Sequence, residues 1–247
     1  MQRKYILIGS LIHNREWILP DFLKCLKALN YDKKYISICF IVNNCIDNSF
    51  DILRQFQKDN EEEYRDITIK INNFQRLLND DRMNRRIKDN EMQTYNILKK
   101  LRSDMIKIFY EGDYDYFFSV DSDILLNSED LNMLIESNKD AVAGLIQNHE
   151  TIKEAKNFLF LCGDSFYRSH DFKIPNECFE VGLTGAVILF SQNIFTFGYI
   201  DYMGEKFMSE DEEFCYKLIF KNGISLFVNP NVKPKHILSE AVFYGYN

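Results

Sequence analysis

The sequence Y-D-Y-F-F-S-V-D-S-D-I-L-L, residues 114–126, decides the fold of this chain. Its first part is aromatic and β-branched and follows a Glu-Gly-Asp turn, so residues 116–120 predict a buried central strand. Side chains at positions i and i+2 of a strand share a face, and Asp121 and Asp123 would therefore point the same way. The stretch predicts two converging carboxylates at the point where this strand leaves the sheet.

Paired carboxylates at a strand's carboxyl end suit Mg²⁺ or Mn²⁺, which keep other positions open for water and substrate phosphates. The alternative, open to any D-x-D, is that Asp121 caps a turn and Asp123 is solvated. The hydrophobic strand before the pair and the plausible helix start at residues 128–130 favour the metal site.

Towards the amino terminus, apolar runs alternate with segments of helical periodicity. Strands are predicted at residues 4–12, 36–42 and 67–71, and helices at 17–29, from about 50, and at 91–110. This β-α-β-α-β order implies a largely parallel sheet with helices on both faces, and ligands at the carboxyl ends of its strands. Asn72 to about Asn90 predicts a polar excursion.

The second half of the chain is less regular, as expected of a segment that shapes a pocket. Strands are predicted at residues 141–146, 158–162, 180–181, 183–190 and 224–228, and helices at 129–136, from 191, and after 209. Within it, Gly185 opens an apolar run, where a glycine relieves crowding. Ser209 and Glu212 fit a capping box, so good capping is one interpretation of the acids at 210–213.

Composition excludes several classes of protein. A hydrophobic fraction of 46% with 15% aromatic residues excludes a disordered chain, and the formal charge of −7 argues against a general nucleic-acid binder. The 247 residues suit one large α/β domain or two small ones, and nothing marks a linker. Basic residues cluster between Arg76 and Arg102, so the negative net charge does not exclude local binding of an anion such as a diphosphate.

Cysteine spacing and the length of the apolar runs indicate the cellular compartment of the protein. The six cysteines contain no C-x-x-C pair, which favours reduced thiols in the core over a disulfide framework. The apolar run after Arg3 and Lys4 is too short for a secretory signal, and residues 13–16 interrupt it. No stretch approaches the roughly 20 apolar residues that span a bilayer. We therefore expect a cytoplasmic protein without a transmembrane segment; contact with a membrane surface stays open.

Five segments, in this order, resemble those of the GT-A glycosyltransferases, especially the family 2 type and, more closely, the amino-terminal glycosyltransferase domain of procollagen galactosyltransferases. They are I-G-S-L-I-H-N-R-E-W-I-L-P-D-F-L-K-C-L from residue 8, F-I-V-N-N-C-I-D-N-S from 40, L-R-S-D-M-I from 101, S-V-D-S-D-I from 119 and S-E-D-E-E-F-C from 209. The resemblance implies a single α/β domain of GT-A (Rossmann-like) type, with a mixed, mainly parallel sheet flanked by helices. Its nucleotide-sugar half would be residues 1–126 and its acceptor half residues 127–247.

The resemblance also implies roles for individual residues. The donor, a UDP-sugar, would be bound by Asn14, Glu16, Asn43, Asn44, Arg102, Asp121, Ser122 and Gly185. Mn²⁺ (or Mg²⁺) would be bound by Asp121, Asp123 and His236. Asp211, with Glu210 as second choice, would activate the hydroxyl of a carbohydrate, lipid or protein acceptor, with inversion.

Departures from the family pattern qualify this picture. Many family 2 enzymes have aspartates in place of Asn43 and Asn44; an amide oxygen also accepts a hydrogen bond from the base, but without the charge. The Q-x-x-R-W motif of processive synthases is absent, which points to transfer of a single sugar. One alternative is a sugar-nucleotide pyrophosphorylase, although residues 13–15 replace the glycine-rich loop of those enzymes. Another is a catalytically silent nucleotide-binding module.

Overall fold

A computed structural model of the chain describes residues 3–74, 86–148, 157–169, 171–207 and 209–237. Its strands are β1 (Ile6–Ile12), β2 (Ile36–Asn43), β3 (Asp66–Asn72), β4 (Tyr116–Val120), β5 (Ile124–Leu125), β6 (Ala141–Gly144), β7 (Gln147–Asn148), β8 (Phe158–Cys162), β9 (Ser165–Tyr167), β10 (Phe179–Val181), β11 (Leu183–Thr184), β12 (Val187–Ser191), β13 (Leu226–Asn229) and β14 (Lys235–His236). Its α-helices are α1 (Leu19–Ala28), α2 (Ser49–Asn60), α3 (Arg86–Glu111), α4 (Asp130–Glu136) and α5 (Glu210–Asn222), and short 3-10 helices lie at Lys33–Tyr35 and Gln192–Phe195.

The central sheet has eight strands within the described ranges, in the order β10-β13-β6-β12-β4-β1-β2-β3. Strands β4, β1, β2 and β3 are mutually parallel, and β6 is parallel to β13. The predicted α/β fold with a mainly parallel sheet and flanking helices is confirmed. Strand β12 lies antiparallel between β4 and β6, and β10 is antiparallel to β13. The sequence did not predict these directions, because an apolar run does not encode the direction of a strand.

Each face of the sheet carries its own hydrophobic core. Alternation along β1 sends Ile6 and Ile8 to one face and Leu7 to the other. Helices α1, α2 and α4 cover the first face, and α3 and α5 cover the second. A Cβ atom at Gly9 would meet the side chains of Phe117 and Met105, so the glycine allows α3 to lie close against the sheet.

Several predicted elements have different bounds in the structure. Helix α3 begins at Arg86, inside the predicted polar excursion, of which residues 75–85 lie outside the described ranges. The strand predicted at 183–190 is broken into β11 and β12 at Gly185 and Ala186, and Ala186 has a φ of 65°. This left-handed backbone cannot continue a strand, so the chain leaves one sheet and enters another at this point.

All six cysteines lie in described residues and are unpaired, which agrees with the predicted reduced thiols; Cys162, however, is exposed rather than in the core.

Across the described ranges, no helix combines the length and apolar character that crossing a bilayer requires.

Candidate functional site

A cleft of about 620 Å³ opens where the carboxyl ends of β1, β2 and β4 meet α3 and the start of α5. In open sheets with parallel strands this is where ligands bind. Its wall contains eight of the predicted site residues: Asn43, Asn44, Arg102, Asp121, Ser122, Asp123, Glu210 and His236. Glu210 and His236 come from the second half of the chain, so both halves build the cleft.

The pairing of two short strands brings a carboxylate and an imidazole together. Strand β14 runs antiparallel to β5, which sets His236 opposite Ile124. The backbone N–H of Ile237 also donates to the carbonyl of Asp123 at 2.9 Å. As a result, Nε2 of His236 lies 3.5 Å from Oδ1 of Asp123.

Asp123 is held in its ionised form by its neighbours. The guanidinium of Arg15 approaches its other oxygen, with Nη2 3.1 Å from Oδ2. Burial alone would raise the pKa of Asp123, but the hydrogen bond and charge of His236, together with the charge of Arg15, outweigh it and hold that pKa below its ordinary value. Asp123 is therefore a carboxylate at neutral pH.

The predicted metal ligands are brought together only in part. Among the described residues, no cluster of three or more His, Cys, Asp or Glu side chains is positioned to bind a metal ion. Asp123 and His236 lie side by side, whereas Oδ1 of Asp121 accepts a hydrogen bond of 2.8 Å from Nη2 of Arg102. Two protein ligands fit a Mg²⁺-type or Mn²⁺-type site, because such cations retain waters and substrate phosphates in their remaining positions.

Arg102 lies between two acids on the wall of the cleft. Besides its bond to Asp121, its Nε lies 3.5 Å from Oε1 of Glu210, and both Arg102 and Glu210 are buried. Burial lowers the pKa of the guanidinium, but the carboxylates of Asp121, Asp211 and Glu210 raise it well above its usual value. Arg102 is therefore a permanent positive charge fixed in place by acids from two elements.

Asp211, the predicted base, is in the first turn of α5. Ser209 caps this helix by accepting a hydrogen bond from the backbone N–H of Glu212, which confirms the predicted helix start. Burial, together with the charges of Glu210 and Asp121, outweighs the opposing effect of Arg102 and raises the pKa of Asp211 to about 7. The charge on Asp211 is thus disfavoured, unlike that of a simple helix-dipole partner.

Gly185 and Asp211 are in close contact with each other, and neither is among the residues that line the cleft. A Cβ atom at position 185 would overlap the Asp211 carboxylate, so only a glycine lets that carboxylate occupy its place. The expectation that Gly185 relieves crowding agrees with this contact, and its role at the donor stays a prediction.

Asn14 and Glu16, both predicted donor contacts, connect the first two βα loops instead of lining the cleft. The side-chain oxygen of Asn14 accepts a hydrogen bond of 2.9 Å from the N–H of Ile46. The carboxylate of Glu16 accepts hydrogen bonds of 3.0 and 2.8 Å from the backbone N–H and the side chain of Asn48. These bonds position the loops whose other residues reach the cleft.

Asn43 was predicted to bind the donor. In the structure its side-chain amide forms hydrogen bonds with the backbone of Phe74. The N–H of Phe74 donates to Oδ1 of Asn43 at 3.0 Å, and Nδ2 donates back to the Phe74 carbonyl at 3.3 Å. Nδ1 of His13 lies 2.8 Å from the Asn43 carbonyl. Since a carbonyl only accepts, Nδ1 of His13 is the donor in this contact.

Several residues of the cleft wall were not predicted from the sequence, among them Arg15, His13 and Phe74. A signal for the first two was present, because they directly follow the carboxyl end of β1, next to the predicted site. Phe74 gave no such signal, since it lies in the predicted polar excursion and its hydrogen bonds to Asn43 form only in the folded chain.

Comparison with known proteins gives the family. The model described as "Glycosyltransferase family 25, N-terminal domain" matches residues 3–193. Procollagen galactosyltransferase 1-B of Xenopus laevis is 28% identical over 194 residues, which are 74% of this chain and 30% of that protein. Procollagen galactosyltransferase 2 of Homo sapiens is 26% identical over 201 residues, 76% of this chain and 30% of that protein. The chain thus spans about a third of the length of these relatives.

Solved structures confirm the GT-A architecture. The mannosyltransferase PcManGT from Pyrobaculum calidifontis, in complex with GDP-Man and Mn²⁺, matches with a TM-score of 0.58 at 10% identity, over 100% of this chain and 60% of that one. TarS 1-349 of S. aureus, in complex with UDP-GlcNAc, matches with a TM-score of 0.60 at 11% identity, over 97% of this chain and 60% of that one. At such identities the likeness shows the fold alone. Because the family model covers most of the chain and agrees with the resemblance seen in the sequence, this chain belongs to glycosyltransferase family 25.

Proposed function

We propose that this domain transfers one sugar from a nucleoside-diphosphate sugar, a UDP-sugar, to an acceptor hydroxyl, with a divalent cation and with inversion. The observation that carries this proposal is the placement of Asp123, His236 and Arg102 on one cleft wall at the carboxyl ends of parallel strands. A diphosphate with its cation complements these groups in charge. Family membership and the nucleotide sugars in PcManGT and TarS support the donor class.

The donor end of the mechanism rests on fixed charges. Asp123 and His236 would hold Mn²⁺ or Mg²⁺, with Asp121 reaching it directly or through water, and the nitrogen ligand favours Mn²⁺. When bound, the cation neutralises the negative charge that grows on the departing diphosphate. Arg102 adds a positive charge whose position is already fixed by Asp121 and Glu210, so it needs no rearrangement during the reaction.

The acceptor end requires a base, because a hydroxyl is a poor nucleophile at neutral pH. Asp211 would accept the hydroxyl proton as the oxygen attacks the sugar from the side opposite the diphosphate. Its pKa of about 7 suits this task, since a base titrating near the working pH combines availability with driving force. Glu210 is the second candidate, but one of its oxygens faces Arg102.

The two halves of the chain would divide the substrates. Residues 1–126 would bind the nucleotide sugar and residues 127–247 the acceptor, with Glu210 and His236 extending from the second half into the donor cleft. The acceptor hydroxyl belongs to a carbohydrate, a lipid or a protein. Since the named relatives are procollagen galactosyltransferases, UDP-galactose and a collagen-type peptide come first in a substrate panel.

Calorimetry with UDP and Mn²⁺, followed by a transfer assay, tests this function. We expect Asp123→Ala to lose Mn²⁺-dependent UDP binding and to lower transfer by about 10³-fold or more, because the cation supplies several kcal/mol to the transition state. Asp113→Ala, which removes an exposed carboxylate outside the cleft, should match wild type. Full transfer by Asp123→Ala in EDTA would contradict the metal, and binding without turnover across the panel would favour the silent module. Sugar-nucleotide synthesis from a sugar phosphate would favour the pyrophosphorylase.

A further inference from the structure

Both oxygens of the Asp123 carboxylate already have partners in the folded chain. His236 lies beside Oδ1, and Nη2 of Arg15 donates to Oδ2 at 3.1 Å. Asp123 is also largely shielded from solvent. The carboxylate that would hold the cation is therefore neutralised in advance by a positive group of the protein itself.

The backbone of Arg15 is fixed on both sides. Its N–H donates to the buried hydroxyl of Ser49 at 2.8 Å. Its carbonyl accepts from the N–H groups of Ile18 and Leu19, at 3.0 and 2.9 Å, as α1 begins. Any change at Arg15 must therefore come from rotation of its side chain about a stationary Cα.

The side chain is held less firmly than the backbone. About a third of it is exposed on the wall of the cleft, and its one acidic partner in the described part of the chain is Asp123. The Nε atom is shielded from solvent and has no hydrogen-bond partner among the described residues. A buried donor without an acceptor is a cost that a different position of the guanidinium can remove.

A divalent cation and the Arg15 guanidinium compete for one carboxylate. Because both oxygens belong to Asp123, a cation on either would lie within a few ångströms of the guanidinium, and the two positive charges repel each other. A diphosphate resolves this conflict, because arginine binds phosphate oxygens through strong charge-assisted hydrogen bonds. Arg102 is less available for this role, since Asp121 and Glu210 already hold it.

We propose that Arg15 is an internal counter-ion of Asp123 that leaves when the cation binds and then holds the donor's diphosphate, so that cation and nucleotide bind together rather than in sequence. This inference rests on the proposed function, in which Asp123 is a metal ligand. It adds a residue that the family resemblance did not assign, and it makes occupancy of the metal site depend on the nucleotide.

The test measures Mn²⁺ binding without any sugar transfer, through the paramagnetic resonance signal of free Mn²⁺, with and without UDP. Wild type should bind Mn²⁺ weakly alone and much more tightly with UDP. Arg15→Met should bind Mn²⁺ alone about tenfold more tightly, and at saturating Mn²⁺ should bind UDP about tenfold more weakly, as expected when one charge-assisted bond is lost. Arg15→Lys keeps the charge and should retain weak Mn²⁺ binding in the absence of UDP.

Arg3→Met is the matched control, because it removes the same charge from an exposed pair with Asp32 outside the cleft. It should leave both affinities unchanged. The inference is overturned if Arg15→Met binds Mn²⁺ alone no more tightly than Arg3→Met, while Asp123→Ala abolishes that binding. If Asp123→Ala binds Mn²⁺ as wild type does, the metal site itself is wrong, and the inference and that part of the proposed function fail together.

Discussion

Two arginine–aspartate pairs line the same cleft, and their surroundings differ. Arg102 donates to Asp121 at 2.8 Å with only 10% of its side chain exposed, and Glu210 is on its other side. Arg15 donates to Asp123 at 3.1 Å with 34% of its side chain exposed, and no second acid partner is present among the described residues.

The difference shows that a pair's surroundings decide its role. Several carboxylates around Arg102 make its removal costly, since they would be left buried without a counter-charge. Only one carboxylate holds Arg15, and His236 remains beside that carboxylate when the arginine moves, so Arg15 can exchange partners at a smaller cost. We therefore interpret Arg102 as a fixed part of the electrostatics and Arg15 as an exchangeable one.

The largest effect that tests this comparison is expected at Asp211, one of the acids around Arg102. Asp211→Asn should lower transfer by roughly 10²–10⁴-fold, the contribution of a general base, while donor affinity stays near wild type. Steady-state kinetics and calorimetry measure the two quantities. Glu210→Gln is the control: if it is the inactive variant and Asp211→Asn the active one, the base is misassigned. If both remain active, the inverting mechanism fails.

The second effect compares the stability of the two pairs. Arg102→Met should lower the free energy of unfolding by about 3–5 kcal/mol, because it leaves several buried carboxylates unpaired, whereas Arg15→Met should lower it by less, because His236 remains beside Asp123. Urea unfolding measures both. Adding Glu210→Gln to Arg102→Met should recover part of the loss. Equal losses for the two arginine variants would show that the pairs do not differ.

The smallest effect is in the pH dependence. Because the folded-state pKa of Asp211 is raised to about 7, transfer should rise with pH through this value. The charge of Glu210 contributes to that raised pKa, so Glu210→Gln should shift the rise to lower pH. A rate profile from pH 5 to 9 checks this, and an unshifted profile would exclude Glu210 as a cause.

The same group makes a prediction for stability. A raised pKa means that protonated Asp211 favours the folded state, and this contribution is present below the ordinary pKa of about 4 and lost as pH rises through about 7. The stability of Asp211→Asn relative to wild type should therefore increase over that window. Asp123, whose pKa is lowered, is ionised throughout it, and Asp123→Asn should show no such trend.

Local patterns in the sequence determined the elements of this fold. The apolar and aromatic run at residues 116–120 is a strand at its predicted bounds, because a continuous hydrophobic run fits only a buried position. Ser209 caps α5 as predicted, because capping depends on residues within one turn. The order of strands and helices, and with it the edge of the sheet where the cleft opens, follows from such local signals. The assignments of donor, metal and acceptor residues stay predictions.

Only the tertiary structure decided which side chains meet. Arg15 reaches Asp123 across 108 residues of sequence, and His236 reaches it only because β14 pairs with β5. The sequence placed Asn43 at the donor, with either it or Asn44 accepting from the base, and only the fold shows that the amide of Asn43 is hydrogen-bonded to the backbone of Phe74. The physical reason is that periodicity fixes the face a side chain points to, whereas its partner depends on strand order and on loops from distant parts of the chain. The pKa of Asp211 depends in the same way on burial and on Arg102 and Asp121, which lie outside its own helix, so the local pattern alone could not have set it near 7.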